Sequence, residues 1–524
     1  MKRYTKLRIL LLSTVLLISS ACNNDFFELT NPPEFPWQNI NQLEMAAVTP
    51  YNTTFNSSWG SYWMGHSLIF DCMSDYIYLL PNTSADIPYS EMYFRTTTVR
   101  IGNTAFGDIY RTIGACNSAL DFYAANNDVP FSNPTEKDLA NLKRIKGELH
   151  FMKAFAYFIA AKNFAPSPAS PEFTTLKILP LREAFPKNIE EANQVEFGTA
   201  RQVYDIILKE LGQALDLLPE QFISGVHHPS FQYGRANKIA ASFLMMRVQL
   251  LLNNFDAALQ AADQVINSGY YTLDQDPIEA FNHSDPSQGK EVIWYALYYD
   301  DVMGSIPKVF TSMTKCHYTA LNGGRGTSWS RCPWNQFTMS HSASKYLGWM
   351  DEKLNVTTEA KKDKRYDQLY YRLEGNNGDP LADPTVYETQ YAHVKQPYIW
   401  GDKYFRGPDG RYTNVPVMRL AEAYLTRSIL RLKKGDSTGA LSDLNKVRVR
   451  AGLEPLTTIT EDDIQKERLK ELAFEGDYFF YLQAMRKPIG VGDRVGSSVI
   501  EPPYTGVYWL IPQLELDMNN SNSN

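Results

Sequence analysis

A mostly α fold of paired helices, joined to a portion built from loops and short strands, is what this 524-residue sequence predicts. Three observations lead there. Apolar residues recur at spacings of three and four through several long blocks, the period of a helix with one buried face. Two of those blocks are followed by a second block across only two or three polar residues, which makes helix pairs. Between the pairs, residues 282–345 and 372–416 carry Gly, Pro, Asn and Asp at turn density and no helical period.

Taken from the N-terminus, the chain opens on Lys2, Arg3, Lys6 and Arg8, then an apolar run from Ile9 to Ile18, then the small residues Ser19, Ser20 and Ala21 before Cys22. This is the layout of a secretory signal over residues 1–21. It is shorter than the roughly 20 apolar residues of a membrane span. Elsewhere the apolar runs reach only eight residues, as in Ala154–Ala161 and Ile239–Met246. Cys22 stands where bacterial lipoproteins carry the lipidated cysteine, with Ser19 in place of the usual Leu; the alternative is an ordinary signal peptide. Two or more acyl chains suffice to anchor a soluble domain. Residues 22–40, rich in Pro and Asn, read as a tether, and residues 41–524 as one globular domain with an N-terminal part to about 235 and a C-terminal part from about 236.

Within the domain, Leu142, Ile145, Leu149, Met152, Ala156 and Ile159 form one buried stripe, broadened by Phe151, Phe155 and Phe158, so this helix is expected to be buried over more than half its circumference. The first pair joins Ala236–Leu252 to a helix beginning at Phe255, with Asn253 and Asn254 between and Ser268-Gly269 as the stop. The second joins Val417–Lys433 to Ser437–Val449 through Lys434-Gly435-Asp436. The segments NNFDAALQAADQVI and KGDSTGALSDLNKV resemble second helices of tetratricopeptide repeats, but they are too few and irregular for a solenoid. EVIWYALYY reads as a strand.

Charge and cysteine content exclude several functions. Removing the four basic residues of the leader takes the net charge from −7 to −11. A nucleic-acid binder needs a basic surplus that this chain lacks. No CxxC occurs, so zinc-ribbon and thioredoxin-like chemistry is unsupported. Cys72 and Cys116 fall on apolar helical patterns and read as buried thiols. Cys316 and Cys332 flank a Gly-, Ser- and Trp-rich loop, where an exported context permits a disulfide.

The eight histidines show neither HExxH nor His-x-His spacing, and His227-His228 reads as a solvated loop pair, so no metal site is predicted. GxSxG is absent, GVGDRVG from Gly490 has the wrong glycine spacing for a dinucleotide site, and NGGRG at Asn322 lacks the Lys-Ser/Thr of a P-loop. Glu467, Glu471 and Glu475 recur every fourth residue, a carboxylate stripe if one helix carries all three. With Arg419, Glu422, Arg448 and Arg450 they read as a charge network joining three helices. The competing reading is the acid/base pair of a glycan hydrolase. No cofactor motif is present.

Five segments together resemble one family. KRIKGELHFMKAFAYFIAAKNF, VPVMRLAEAYLTRSIL, ALSDLNKVRVRAGL, IQKERLKELAFEGDYFFYLQAMRK and YWLIPQLEL are similar, in this order, to conserved helices and the C-terminal segment of SusD/RagB proteins. These are outer-membrane nutrient-binding lipoproteins of Gram-negative bacteria. Lys153 stands for their usual Arg, Tyr478 for a basic residue, and the Asn- and Ser-rich tail departs from their ending. The resemblance implies a SusD-like fold and a lipid-anchored, surface-exposed place at the outer membrane. It implies a SusC-like TonB-dependent transporter as partner, an oligosaccharide or polysaccharide (or a peptide) as ligand, and no catalysis.

Aromatic content of 13%, with 32 Tyr and 9 Trp, exceeds what a core needs. Sugar rings stack their C–H faces on Trp and Tyr, while their hydroxyls take Asn, Asp and Arg. Two loops offer that mixture. One carries Tyr89, Tyr93, Arg95 and Asn103; the other carries Tyr318, Trp329, Arg331, Trp334 and Asn335. In the family the loop after the equivalent of Asp75 and a mid-chain loop both feed the ligand platform. The alternative is that these rings pack loops against the core, as is expected of Trp59, Tyr62 and Trp63. A repeat scaffold binding only a protein partner is a further alternative.

Overall fold

Helix periodicity becomes helices where the sequence also supplies their ends. The computed structural model describes residues 37–55, 69–79, 91–95, 103–281, 289–297, 318–319, 324–325, 337–373, 398–403, 414–513 and 515–517. The N-terminal part packs α1 (Ile40–Phe55), α2 (Asn103–Ala125), α3 (Glu136–Phe164) and α4 (Ala200–Leu217) side by side. α3 starts at a capping box: the Thr135 hydroxyl accepts from the Asp138 amide at 3.2 Å and the Asp138 carboxylate from the Thr135 amide at 2.9 Å. It stops at Ala165, extended because Pro166 follows. From Phe151 to Ala161 every residue is buried, so α3 is the axis of the core.

The two helix pairs are α5 (Lys238–Leu251) with α6 (Phe255–Asn267), and α7 (Leu420–Lys433) with α8 (Ser437–Arg450). Gly269 follows α6 at φ +73° and Gly435 follows α7 at φ +84°, the left-handed positions that let the chain leave a helix sharply. α6 packs on α7, so the pairs lie against each other. Then come α9 (Glu461–Leu472) and α10 (Tyr478–Ala484).

Strands are short: β1 (Ile77–Leu79), β2 (Lys177–Leu181), β3 (Glu196–Thr199), β4 (Val292–Ala296), β5 (Tyr318–Thr319), β6 (Gly324–Arg325), β7 (Phe337–Met339), β8 (Tyr370–Leu373), β9 (Tyr398–Gly401) and β10 (Val415–Arg419). One antiparallel sheet has the order β1-β7-β9-β8, and β10 pairs with β4. In β4, Trp294 meets Phe55, Phe151 and Phe155 edge-on at 5.3, 5.0 and 4.9 Å, which fastens the β4–β10 ribbon to α1 and α3.

The structure corrects four expectations. Val417 to Arg419 are not the first turn of a helix but the end of β10, because Glu291 to Ala296 offer a partner strand; α7 begins one residue later, where the Leu420 amide reaches the Glu291 carbonyl at 2.9 Å. Glu475 is not on the helix of Glu467 and Glu471, since α9 ends at Leu472 and Phe474 turns the chain at φ +64°. Cys72 sits in a single 3₁₀ turn, Phe70–Met73, not a longer helix; its side chain and that of Cys116 are buried. His227 is buried rather than solvated, its Nδ1 accepting from the Ile223 amide at 2.9 Å. Residues 1–36, Trp59, Tyr62, Trp63, Cys316 and Cys332 lie outside the described residues.

Candidate functional site

Two of the sequence's candidate segments are joined to one end of the four-stranded sheet. Leu79, the last residue of β1, is the register partner of Phe337, the first of β7. The segment carrying Tyr89 therefore leaves the sheet beside the point where the segment carrying Trp329, Arg331, Trp334 and Asn335 arrives. Those five residues and Cys22 lie outside the described residues; so do the side chains of Tyr318, in β5, and Asn103, which opens α2.

Asp75, Tyr93 and Arg95 gather around the Arg494 guanidinium. Tyr93 is buried, its ring 6.2 Å from that of Phe337, with the Arg494 guanidinium 4.4 Å from its centroid. Arg95 spends its guanidinium on main-chain carbonyls: Met73 at 2.8 Å and 3.2 Å, and those of Gly490 and Ser498. Burial pushes the Asp75 carboxyl up, with Arg494 and Arg95 pulling the other way. The GVGDRVG segment packs against this group. A Cβ on Gly492, at φ +59°, would lie 2.0 Å from the Asp75 carbonyl oxygen, so only glycine allows this approach. As placed, Tyr93 and Arg95 fix the base of the loops, while Phe94 between them is exposed.

Sequence reading missed an aromatic strip on the same sheet. Tyr78 of β1 stacks on Tyr398 of β9, with centroids 5.8 Å apart and planes at 3°; His341 stacks on Tyr398 at 4.5 Å and 19°. Tyr78 and His341 are half-buried. The Asp493 carboxylate accepts from the His341 amide at 2.6 Å and from the Ser342 amide at 3.3 Å. Half-exposed rings beside a carboxylate and hydroxyls are the ingredients of a surface that stacks on a sugar face and bonds its hydroxyls. The pairing of three distant segments that builds this strip has no local signal in the sequence.

The carboxylates singled out in the sequence sit elsewhere, under guanidinium groups. Arg419 reaches Glu291 at 3.0 Å, Glu471 at 2.7 Å and Glu475 at 2.7 Å. Arg450 bonds Glu291 at 2.9 Å and Glu471 at 2.7 Å; Arg448 and Arg365 take Glu467 at 2.5 and 2.7 Å. Burial works to raise the Glu471 carboxyl, but Arg450, Arg419 and Arg365 together hold it well below the usual range. Glu422 belongs to a neighbouring pair, its two oxygens on Arg247 at 2.8 and 2.7 Å. A glycosidase needs two carboxyl groups facing the sugar across an open gap; these are committed to buried ion pairs. Among the described residues no group of three His, Cys, Asp or Glu side chains is placed to hold a metal ion. No helix among them is long and apolar enough to cross a membrane.

Comparison with known proteins bears on this arrangement. A model described as "SusD family" matches residues 290–483, and one described as "Starch-binding associating with outer membrane" matches residues 73–250. Among solved structures, a SusD superfamily protein from Bacteroides thetaiotaomicron is 20% identical, with TM-score 0.70, over 92% of this chain and 98% of its own. A putative sugar-binding protein from Bacteroides vulgatus is 18% identical, with TM-score 0.71, over 93% and 98%. Surface glycan-binding protein A from Bacteroides uniformis is 20% identical, with TM-score 0.68, over 92% and 98%. No curated protein matches the chain.

Proposed function

Because the chain belongs to the SusD/RagB family, matched by two of its models over separate stretches of about a third of the chain each, we propose that it is a nutrient-binding protein that captures glycans and performs no chemistry on them. The observation that carries the reading is the register pair Leu79–Phe337. At that pair the chain leaves towards one aromatic- and amide-rich segment and returns from another, and the half-buried Tyr78 and His341 rings stack on the buried Tyr398 of the same sheet. A neutral oligosaccharide is recognised by such a mixture of ring faces and fixed polar groups, with no need of net charge. The wider reading adds a lipid at Cys22, a place on the outer-membrane surface, and delivery of the bound glycan to a SusC-like TonB-dependent transporter.

The rival reading, a glycan hydrolase using the carboxylate cluster, is disfavoured by the ion pairs that occupy Glu467, Glu471 and Glu475. The test is a glycan array probed with the soluble domain beginning after Cys22, followed by titration calorimetry on the best ligand and product analysis of the same mixture. Saturable binding with the oligosaccharide recovered intact is expected. Release of shorter sugars would favour the hydrolase. Binding of peptides alone would replace the glycan with a peptide ligand.

A further inference from the structure

A cavity of about 70 Å³ lies where α3, α5, the start of α7 and the α9–α10 junction meet. Its lining charges pair off almost completely. Arg247 holds Glu422 with two bonds at 2.8 and 2.7 Å, Arg468 holds Asp477 with two at 2.7 and 2.6 Å, and Arg419 holds Glu475 at 2.9 and 2.7 Å. Lys162 is left over. It forms no ion pair or hydrogen bond with any described residue, and its Nζ lies 3.9 Å from the Phe480 ring centroid and 5.9 Å from that of Phe158. The rest of the wall is apolar, including Ile159, Leu250 and Leu251. Four cationic side chains (Lys162, Arg247, Arg419 and Arg468) and three carboxylates (Glu422, Glu475 and Asp477) line the cavity, a net charge of +1 when all are ionised.

We propose that this cavity is a binding site for a small, weakly hydrated monovalent anion seated against the Lys162 ammonium. Size supports the assignment. About 70 Å³ exceeds the roughly 30 Å³ of one water and falls far short of the roughly 300 Å³ where pockets for organic ligands begin. The site is therefore distinct from any glycan site and stands independently of the glycan reading. Chemistry supports it too: a charge that is withdrawn from water without an ion-pair partner is costly, and a counter-ion removes most of that cost. An anion that sheds water easily, such as bromide, enters a small, partly apolar space more readily than a strongly hydrated one.

Proton linkage follows. Burial, with Arg247 close by, pushes the ammonium down to about 7, against the pull of Asp71, Asp477 and Glu422. Asp71 stands just behind Gly476, whose amide it accepts at 2.9 Å; burial pushes its carboxyl up to about 7, and its Oδ1 has no partner. Arg468, Arg419, Glu475 and Tyr481 complete the titratable and charged groups around the cavity. An anion favours the protonated amine, so binding strengthens as pH falls.

The full chain is melted in sodium bromide at constant ionic strength, balanced with sodium gluconate, whose anion is too large for the cavity, at pH 6.0 and pH 8.5. A saturable rise of about 1 °C in Tm is expected at pH 6.0 for a ligand at several times its Kd, and a smaller one at pH 8.5. Lys162→Met should show none. Equal Tm in the two salts, or an undiminished response in the variant, overturns the proposal. If the variant fails to fold, wild-type crystals soaked in bromide decide: an anomalous peak at Lys162 Nζ supports the site, and a cavity without one overturns it.

Discussion

Arg419 and Glu471 meet at 2.7 Å with both side chains buried, and they tie the end of β10 to the last turn of α9. Arg450 adds a second bond at 2.7 Å to the same carboxylate oxygen from the end of α8. Three elements separated in sequence are thus held by one carboxylate.

Replacing Glu471 by Gln should therefore destabilise the protein without altering ligand choice. Removing the charge leaves Arg419 and Arg450 buried and short of a partner, a loss of about 3–5 kcal/mol. Chemical denaturation reads the loss and a glycan titration reads the specificity. A variant as stable as wild type that has lost a hydrolytic activity would return the carboxylates to catalysis.

Acid should unfold the N-terminal part through Glu44. Burial works to raise this carboxyl, but Arg235 and Arg144 prevail and hold it down to about 2, from an ordinary 4.5. A depressed carboxyl contributes stability that is full above pH 4.5 and lost as pH falls toward 2. The contribution is about 3 kcal/mol by linkage. Stability measured from pH 5 to pH 2 should fall across that window, and Glu44→Gln, already less stable at pH 7, should show a flatter profile. A wild-type profile with no fall in the window would show that Glu44 does not govern it.

On the candidate platform, Tyr78→Ala should weaken glycan binding several-fold, since one stacking contact is worth about 0.5–1.5 kcal/mol beyond buried area. At least one of Trp329→Ala and Trp334→Ala should do the same. Calorimetry paired with thermal melts separates lost contact from lost fold. Unchanged affinity in all three would move the site away from this end of the sheet.

Membrane retention should depend on Cys22. The variant Cys22→Ala is expected to fold and bind ligand as wild type does, yet to leave the outer-membrane fraction on salt washing. Retention of the variant after washing would point to a protein partner as its anchor.

Much of this architecture was legible in the chain itself. The periodic residues from Leu142 to Ile159 are one face of α3, and the breaks at Asn253-Asn254 and Gly435 separate the two helices within each pair, because both signals are local: a helix satisfies its hydrogen bonds within four residues. β10 was illegible for the complementary reason. Val417 to Arg419 suit either a helix or a strand, and only the arrival of Glu291 to Ala296 alongside decided the matter.

The sequence alone therefore determined the helices, their pairing, the acidic balance and the set of aromatic loops. The tertiary structure alone decided which of those parts meet. Leu79 with Phe337, Tyr78 with Tyr398, and Glu291 with Arg419 and Arg450 are contacts between segments with no common period. Glu475 makes the point most sharply. It left the helix that the four-residue spacing predicted, yet it still reaches Arg419. The reason is physical: a buried guanidinium requires a carboxylate within bonding distance, and the fold satisfies that requirement in space, whatever the order of the residues along the chain.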